Sequence, residues 1–449
     1  MTPSVMWFRR DLRLRDHPAL HAAARAGPVC ALFVLDDVLL KVDNGPRTAY
    51  LYRSLRALDA DLRSYGGRLT VERGRPENVV PRVAEEIGAG SVHVSEDYAP
   101  YGKARDACVE KALGDVPLVR TGSPYAVSPG HVLKQDGEPF RVFTPFYRAW
   151  SERGWHSPST SDPGRVEWHP VDGIDIPRDP KIAADLFAAG EGAAHQAWRE
   201  FQDGDLSRYA EGRNRPDLDS TSHMSVHLKF GEIHPRTMLT DLGRSGPAYR
   251  RQLCWRDFYA QVLHFWPQSA HGYFQPAMAR MRYDTGTQAD ERFEAWRAGQ
   301  TGFPIVDAGM RQLLATGWMH NRLRMIVASF LVKDLHLEWT LGAKHFMDAL
   351  VDGDLANNQH GWQWTAGTGT DPAPYFRIFN PILQAKKFDP DGAYVRRWVP
   401  ELASLSAQEI HEPWKLAEPP EGYPARIVDH DTERKESLAR YQEIRGDRS

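Results

Sequence analysis

The first 125 residues alternate short apolar runs with amphipathic stretches. The apolar runs are rich in β-branched side chains and lie at 5–8, at 29–35 and from Leu69, Ser91 and Leu118 onward. The amphipathic stretches have helical periodicity and lie around 18–26, 47–65, 76–87 and 101–112. Apolar strands separated by amphipathic helices are typical of a parallel sheet that helices cover on both faces. The pattern therefore predicts a doubly wound α/β domain over residues 1–130.

Helical periodicity dominates the second half of the chain. Between about residues 150 and 190 the periodicity is lost and prolines accumulate, which predicts an interdomain linker, placed at 131–192. Helices are predicted at 193–211, 232–243, 247–265, 289–299, 304–317, 319–336 and 342–351. Because strand signals are few there, we predict a large all-α domain over residues 193–449.

The residues after the first predicted strand exclude the ordinary dinucleotide-binding fold. Such a domain carries GxGxxG directly after that strand and binds its ligand at the carboxyl ends of the strands. Here the strand is followed by Arg9, Arg10 and Asp11. Any ligand of this sheet is therefore recognised by other residues.

Composition places the chain among ordinary globular proteins. Hydrophobic residues make up 41% and charged residues 26%, and no run of about 18 apolar residues predicts a membrane span. The 3 cysteines form no CxxC pair and the N-terminal residues lack a secretory pattern, so we expect a cytoplasmic protein without a metal site. The formal net charge of −3 does not indicate a nucleic-acid binder, although it allows a local basic patch. With 14 tryptophans, most indoles are expected to be buried, stacked or functional.

An aromatic face is predicted on the helix at 247–265. Gln252, Trp255 and Tyr259 share this face. An indole wall beside an amide that donates and accepts hydrogen bonds suits a heterocyclic base. An aromatic core stripe with an incidental glutamine explains the same residues, and the choice stays open.

The helix predicted at 319–336 begins with a basic segment. Asn321 and Met325 share one face, while Arg322 and Arg324 point elsewhere. That face suits a ligand, with Arg322 reaching a phosphate and Arg324 a buried carboxylate. A solvated basic helix start is the alternative.

Two further segments are unusually polar. Residues 352–364 combine acids, amides and tryptophans, and we expect them to be too polar for a packed helix and too aromatic for a loop. We interpret them as a polar pocket for a ring system with N–H and C=O groups, since a calcium loop would need a closing glutamate. Residues 219–225 cluster hydroxyl groups ahead of a helix, which suits a diphosphate or simply a helix N-cap.

These segments carry a family resemblance that covers nearly the whole chain. The motifs are WFRRDLRLRDHPAL at 7–20, TGFPIVDAGMRQL at 301–313, GWMHNRLRM at 317–325, DGDLANNQHGWQW at 352–364, TGTDPAPYFRIFNP at 368–381 and HEPWK at 411–415. Together they resemble the photolyase and cryptochrome family, in particular class I cyclobutane pyrimidine dimer DNA photolyases. The resemblance implies an antenna domain, a helical domain that binds FAD, and light-driven electron transfer from reduced FAD to a pyrimidine dimer flipped out of UV-damaged DNA.

The resemblance also implies site residues, position by position. FAD contacts are expected at Tyr209, Thr221, Ser222, His223, Met224, Ser225, Gln252, Arg324, Asp352, Asp354 and Asn358. Dimer contacts are expected at Gln252, Trp255, Asn321, Met325 and Trp364. DNA contacts are expected at Arg213, Arg322 and Arg377, together with Trp255 and Trp364. Photoreduction of the flavin is expected to use Trp362, Trp339 and then Tyr283.

Three positions depart from the family pattern. Gln252 stands where many members have a glutamate that hydrogen-bonds the dimer, and His223 stands where an arginine or glycine is common. The third tryptophan of the electron-transfer chain is missing, because the ungapped position is Gly286 and a small insertion places Tyr283 there. We therefore expect photoreduction to be slow or to end on tyrosine.

The antenna chromophore is predicted from a second set of residues. A folate-type site expects a Cys-Lys pair near Ala270 and His271, which is missing. Residues 96–102, with Asp97, and Lys229 resemble the 8-hydroxydeazaflavin type, and FMN or riboflavin in the same place stays open. Asp97 could also simply cap the helix that follows its strand.

The functional expectation is repair of cyclobutane dimers by a monomeric enzyme that acts on UV-damaged DNA and not at a membrane. A cryptochrome-like blue-light photoreceptor is one alternative, and Asn358 at the flavin N5 position argues against it. Repair of the 6-4 photoproduct is another. It usually comes with two active-site histidines, whereas Asn321 and Met325 occupy the corresponding helix here.

Overall fold

The computed structural model describes residues 2–42, 45–160, 162–243, 246–371 and 377–446. Within these ranges the chain forms two compact units. The first unit comprises Met1–Ile182, Leu186–Leu206 and Ser222–Pro267, and the second comprises Ala183–Asp185, Ser207–Thr221 and Gln268–Ser449. The domain boundaries expected at residues 130 and 192 follow composition along the chain and stay a prediction. Residues 372–376 of the TGTDPAPYFRIFNP motif lie outside the described ranges.

The first unit contains a five-stranded parallel sheet. Its strands are β1 (Ser4–Phe8), β2 (Val29–Asp36), β3 (Leu69–Gly74), β4 (Ser91–Val94) and β5 (Leu118–Arg120), in the order β3-β2-β1-β4-β5. Ser4 of β1 pairs with Val29 of β2 and with Ser91 of β4. Strands β1, β2 and β4 are buried along their whole length, which explains their continuous apolar sequences. The predicted doubly wound α/β fold is confirmed.

The helices that follow the strands begin where proline permits a helix start. Up to residue 267 the described helices are α1 (Pro18–Ala26), α2 (Asp37–Val42), α3 (Pro46–Ser64), α4 (Pro76–Glu86), α5 (Pro100–Leu113), α6 (Phe143–Arg153), α7 (Glu191–Asp203), α8 (Tyr209–Gly212), α9 (Met224–Phe230), α10 (Pro235–Leu242) and α11 (Pro247–Phe265). Proline opens α1, α3, α4 and α5, because its missing N–H would have no helical partner in the first turn. The four helices predicted between the strands are confirmed.

The second unit is largely helical, as predicted. Beyond residue 268 the described helices are α12 (Thr287–Ala298), α13 (Pro304–Thr316), α14 (Asn321–Lys333), α15 (Trp339–Ala349), α16 (Leu355–Ala366), α17 (Pro381–Phe388), α18 (Ala393–Trp398) and α19 (His430–Gly446). Its core is built on the apolar faces of α13 and α14. A Cβ atom at Gly309 would lie 3.1 Å from Val327 Cγ1, so this glycine permits α13 and α14 to pack closely.

The expectation that residues 352–364 are too polar for a packed helix is wrong. Residues 355–366 form α16, in which Trp362 and Gln363 are buried. Gln363 donates from Nε2 to the Ser269 carbonyl at 2.9 Å and accepts at Oε1 from the Phe274 N–H at 2.7 Å. Buried polar side chains are tolerated when their hydrogen bonds are satisfied. The partners of Gln363 are backbone groups of a segment about 90 residues earlier in the chain.

Four predicted helices have a boundary that is wrong by three residues or more, and one of them, expected over 342–351, spans Trp339–Ala349. The helix expected over 193–211 ends at Asp203, where Gly204 follows, and α8 is a separate turn. The helix expected from residue 232 begins at Pro235. The helix expected over 319–336 spans only Asn321–Lys333. No helix in the described part of the chain combines the length and apolar character that a membrane crossing requires.

Candidate functional site

A hydroxyl-rich segment leads into α9 in the first unit. The Ser222 hydroxyl lies 2.7 Å from the Tyr249 hydroxyl, and the Met224 N–H donates to Ser222 Oγ at 3.4 Å. His223 has a positive φ of 51° and its ring lies 5.0 Å from that of Phe187, whereas Ser225 is exposed. The N-cap of α9 is His223, and it makes no side-chain capping bond, so the structure does not bear out the N-cap alternative and the diphosphate role stays a prediction.

The aromatic face of α11 is observed in the first unit. Trp255 stacks on Phe143 of α6, with ring centroids 3.6 Å apart and planes within 4°. Phe143 is buried, whereas Trp255 and Gln252 are partly exposed. The Gln252 amide makes only a long hydrogen bond, 3.5 Å, to the Ala248 carbonyl. One side of the Trp255 indole therefore belongs to the core, and the residue keeps accessible surface beside an amide.

The first unit also holds the predicted antenna residues. Asp97 follows β4, accepts a hydrogen bond from the Ala99 N–H at 3.1 Å and lies 3.3 Å from the Arg105 guanidinium. Burial disfavours its charged form, but Arg105, Arg10 and Arg9 outweigh burial and lower the pKa of Asp97. The N-cap of α5 is Ala99, which has no side-chain capping bond, so Asp97 supports the turn before α5 from within an arginine cluster and the expectation that it caps the helix is wrong.

This arginine cluster lies where the strand order reverses, between β1 and β4. Arg9 pairs with Asp106, and the guanidinium carbons of Arg9 and Arg105 lie 4.9 and 5.1 Å from the Trp7 ring centroid. Lys229 is partly buried on α9. Its role beside a chromophore, like that of Asp97, stays a prediction.

A buried ion pair anchors the candidate site in the second unit. Arg324 donates from Nη2 to Asp352 Oδ2 at 2.8 Å and from Nε to the Met319 carbonyl at 2.8 Å. The Asp352 side chain is only 2% exposed, and its Oδ1 has no hydrogen-bond partner among the described residues. A buried carboxylate oxygen without a donor is costly, so this atom is expected to bind a ligand N–H.

The first turn of α16 positions two more predicted residues. Asp354 caps the helix by accepting from the Asn357 N–H at 3.0 Å and from Asn357 Nδ2 at 2.8 Å. Asn358 donates from Nδ2 to the Ala343 carbonyl of α15 at 3.0 Å and to Gln359 Oε1 at 2.9 Å. The Asn358 amide is therefore held in one orientation.

The basic start of α14 is partly buried. Arg322 donates to Asn214 Oδ1 at 2.7 Å, and its guanidinium carbon lies 4.3 Å from the Phe388 ring centroid. Burial and the like charge of Arg213 lower the pKa of Arg322. Arg322 is therefore not solvated at the helix start, contrary to the alternative expected from the sequence. Two guanidinium groups close enough to perturb each other suit a bound anion such as phosphate.

The remaining predicted residues of this unit lie near the same helix start or at the surface. Asn321 is exposed, and its Nδ2 lies 4.0 Å from Met325 Sδ, so the two share a face as expected. Tyr209 lies on α8, with the Arg213 guanidinium 6.0 Å from its ring centroid. Trp364 is partly exposed and Arg377 is exposed.

The diphosphate candidates include two residues of the second unit, Tyr209 and Thr221. Thr221 Oγ1 is buried and has no hydrogen-bond partner in the described structure. Ser220 Oγ, in the same hydroxyl-rich segment, shares this property. A Cβ atom at Gly212 would lie 2.4 Å from that oxygen, so α8 approaches the hydroxyl cluster closely.

The aromatic residues predicted for electron transfer lie in the core of the second unit. Trp362 and Trp339 are 3% and 0% exposed. The Trp362 ring lies 5.0 Å from Phe346 and 6.1 Å from Trp296, and the Trp339 ring lies 6.0 Å from Tyr273. The proximity of Trp296 and Tyr273 to these tryptophans is not apparent from the sequence, because contacts between distant segments leave no local pattern.

The paired arginine and carboxylate, the positioned amide of Asn358 and the arginines at the start of α14 suit a protein that binds a polar ring system and an anion. Two family models match the chain, "DNA photolyase" at residues 4–164 and "FAD binding domain of DNA photolyase" at residues 249–443. The deoxyribodipyrimidine photo-lyase of Streptomyces griseus is 41% identical over 99% of this chain and 100% of its own. The chain therefore belongs to the DNA photolyase family.

Solved structures agree with this assignment. A bacterial class III photolyase from Agrobacterium tumefaciens has a TM-score of 0.92 and 36% identity, covering 99% of this chain and 98% of that one. An archaeal photolyase from Sulfolobus tokodaii, solved with two FAD molecules, has a TM-score of 0.87 and 30% identity, covering 98% of this chain and 100% of that one. The predicted family, photo-lyase class and FAD as cofactor are confirmed, whereas the class I assignment stays a prediction.

The residues present fit FAD. Asp352 Oδ1 and Thr221 Oγ1 are buried oxygens without partners in the described ranges. A flavin ring offers N–H donors to the first, and a diphosphate offers acceptor oxygens to the second. The cofactor would supply the hydrogen-bond partner that each of these two oxygens lacks in the described ranges.

Proposed function

We propose that this chain repairs cyclobutane pyrimidine dimers in UV-damaged DNA by light-driven electron transfer. When bound in its reduced form, FAD would supply the electron on illumination. The Asp352 Oδ1, which has no partner among the described residues and is backed by Arg324, is the observation that best supports this proposal, because it matches the polar edge of a flavin. Photolyases are among the enzymes that flip their target out of the duplex. Because light would supply the barrier energy, no acid–base triad is required.

The second unit would hold the flavin through three side chains. Arg324 pairs with Asp352 at 2.8 Å, and the Asp352 carboxylate would bind ring N–H groups. Asn358, held by the Ala343 carbonyl, would place its amide at flavin N5. Asp354 would bind the ribose while it caps α16.

The diphosphate would be bound by hydroxyl groups and by residues close to them. The proposed set is Tyr209, Thr221, Ser222, His223, Met224 and Ser225. Hydroxyl and backbone N–H groups are suitable donors to phosphate oxygens.

The lesion would be recognised by stacking and by neutral hydrogen bonds. Trp255 and Trp364 would each supply aromatic surface to a base, worth about 1–3 kcal/mol per stacked base. The Gln252 amide both donates and accepts, so it can replace a carboxyl group towards pyrimidine N–H and C=O groups. Asn321 and Met325 add an amide and a thioether on one face of α14.

The DNA backbone would be bound by Arg213, Arg322 and Arg377. Because each phosphate contact releases counterions, affinity should fall as salt concentration rises. We propose a monomer that acts in the cytoplasm.

A second chromophore is proposed for the first unit, at Asp97 and Lys229, with Arg9 and Arg105 clustered around Asp97. An 8-hydroxydeazaflavin type is our first choice, with FMN or riboflavin as the alternative. The second FAD of the Sulfolobus tokodaii photolyase supports a flavin-like antenna in this family. Chromatography of the pigments released by denaturation identifies the chromophore directly.

The repair proposal is tested with defined lesions. Chemically reduced, FAD-loaded protein is illuminated with blue light in the presence of DNA carrying one cyclobutane dimer, one 6-4 photoproduct or no lesion. We expect intact thymines only from the cyclobutane dimer, and none in the dark. Flavin binding without repair would favour a photoreceptor, and repair of the second lesion alone would make this a 6-4 photolyase.

A further inference from the structure

A pair of tyrosines lies beside Trp339 in the second unit. The Tyr273 ring meets Trp339 edge to face, with centroids 6.0 Å apart. The Tyr273 hydroxyl donates to Glu338 Oε1 at 3.0 Å, and Tyr283 lies close enough to raise the pKa of Tyr273. Both tyrosines are partly exposed, whereas Trp339 is fully buried. The three side chains therefore lead from the buried indole to the surface of the unit.

We propose that Tyr273 is the terminal electron donor of the photoreduction chain and that the Glu338 carboxylate takes up its proton. This inference rests on the proposed function, since the electron acceptor at the other end is light-excited, oxidised flavin. It changes the order expected from the sequence, where Tyr283 held the third place. The ring contact with Trp339 is made by Tyr273, whereas Tyr283 packs as a partly buried residue against the same hydrophobic core.

The position of Glu338 supports a role towards Tyr273. Glu338 is the N-cap residue of α15, yet its side chain makes no capping hydrogen bond. An acid at a helix start normally accepts hydrogen bonds from the first backbone N–H groups of the helix. The Glu338 carboxylate instead accepts its hydrogen bond from the Tyr273 hydroxyl.

Proton transfer is required because both phenols are protonated at neutral pH. Burial, Tyr283 and the negative charge of Glu338 raise the pKa of Tyr273 above its ordinary value. Burial, more than any other cause, raises the pKa of Tyr283 to about 12. A phenol that loses an electron becomes a strong acid, and the existing hydrogen bond gives its proton a path to the carboxylate.

The step balances in electrons and protons. Tyr273 gives one electron to the oxidised indole of Trp339, which returns to the neutral indole. The Tyr273 O–H bond breaks, a carboxylic O–H bond forms on Glu338, and a neutral phenoxyl radical remains. Because the radical carries no charge, it attracts the electron back less strongly than an indole radical cation would.

Transient absorption tests this assignment. Protein loaded with oxidised FAD is excited with a blue pulse, and the narrow absorption band of a neutral tyrosyl radical is followed. In the wild type we expect this band to grow as the tryptophan signal decays, and to grow more slowly in deuterated water. Tyr273→Phe should lose the band, and Glu338→Gln should slow its appearance.

Two matched variants define the controls. Tyr283→Phe should keep the band, because the contact between Tyr273 and Trp339 remains. Tyr65→Phe removes a hydroxyl from an exposed tyrosine elsewhere and should behave as wild type. Thermal unfolding and FAD content show whether each variant folds, and the isotope effect in wild type tests the proposal without any substitution.

Three results would overturn the inference. They are a wild-type signal from tryptophan alone, a tyrosyl band that persists in Tyr273→Phe, and equal rates in light and heavy water. Repair by chemically reduced protein needs no photoreduction. Failure of that assay would therefore refute the repair function and leave the radical measurement valid, whereas the reverse pattern would refute only the role of Tyr273.

Discussion

The Arg324–Asp352 pair allows stability and cofactor binding to be separated. Removing one partner of a buried ion pair costs about 3–5 kcal/mol, because the remaining charge is left without compensation. Asp352 is 2% exposed but Arg324 is 25% exposed, so the lower end applies. We expect Arg324→Ala to reduce the free energy of unfolding of the FAD-free protein by about 3 kcal/mol. Urea unfolding without FAD measures this, since bound cofactor would add stability of its own.

Asp352→Asn should reduce the free energy of unfolding only slightly and the affinity for FAD strongly. The amide oxygen still accepts from Arg324, so the loss of stability should be about 1 kcal/mol. A hydrogen bond from a ligand N–H to a charged acceptor is worth about 1.5–3 kcal/mol, so FAD affinity should fall about 10- to 150-fold. Titration of the FAD-free protein with the cofactor measures this change.

Arg311 provides the matched control. It binds Glu401 at 2.7 Å and the Gly299 carbonyl at 3.0 Å, so it copies the two contacts of Arg324. Its partner Glu401 is 26% exposed, however. Arg311→Ala should therefore cost about 1 kcal/mol and leave FAD affinity unchanged. If Arg324→Ala cost no more than Arg311→Ala, or if Asp352→Asn bound FAD like wild type, the argument from burial would be refuted.

Three further predictions concern other parts of the chain. A Cβ atom at Gly342 would lie 2.1 Å from Trp362 Cη2, so Gly342→Ala should destabilise the protein by about 1–3 kcal/mol in thermal unfolding. Gly361→Ala, with open space around its Cβ position, should be neutral or slightly stabilising; equal losses for both would contradict the packing argument. Trp255→Ala should weaken binding to dimer-containing DNA by about 1–3 kcal/mol and binding to undamaged DNA by less; equal losses would make the indole purely structural. Burial lowers the pKa of Lys333 to about 7 from 10.5, so the unfolded chain binds more protons between these values and stability should rise with pH across that window. Lys333→Met should flatten the rise in urea unfolding measured from pH 7 to 10, and an unchanged slope would show that Lys333 is not its source.

The sheet and its helices could be predicted closely because their signals are local. The run at 5–8 became β1 at Ser4–Phe8, and the periodic stretch at 76–87 became α4 at Pro76–Glu86. Continuous apolar residues require burial on both faces, and a proline at a helix start needs no distant partner. Such patterns are complete within ten or twenty residues.

The individual site residues were suggested by resemblance, but their partners were not. Nothing near Trp255 in the sequence indicates that Phe143 lies beneath it, and nothing near Arg322 indicates Asn214. These contacts join positions more than a hundred residues apart. A local pattern shows which side chain can contact a ligand, and only the fold shows which of its atoms are already engaged.

The segment at 352–366 shows the physical reason most clearly. The polarity of residues 352–364 predicts that they do not form a packed helix, on the assumption that such a helix must bury apolar residues. Gln363 is fully buried nevertheless, because it exchanges hydrogen bonds with the backbone of Ser269 and Phe274. Those backbone groups gain a hydrogen bond in return, so each segment supplies what the other needs. Two atoms of this segment, Asp352 Oδ1 and Trp362 Nε1, have no hydrogen-bond partner in the described chain. A buried carboxylate oxygen without a donor is the more costly of the two, so Asp352 is the residue that points to a ligand.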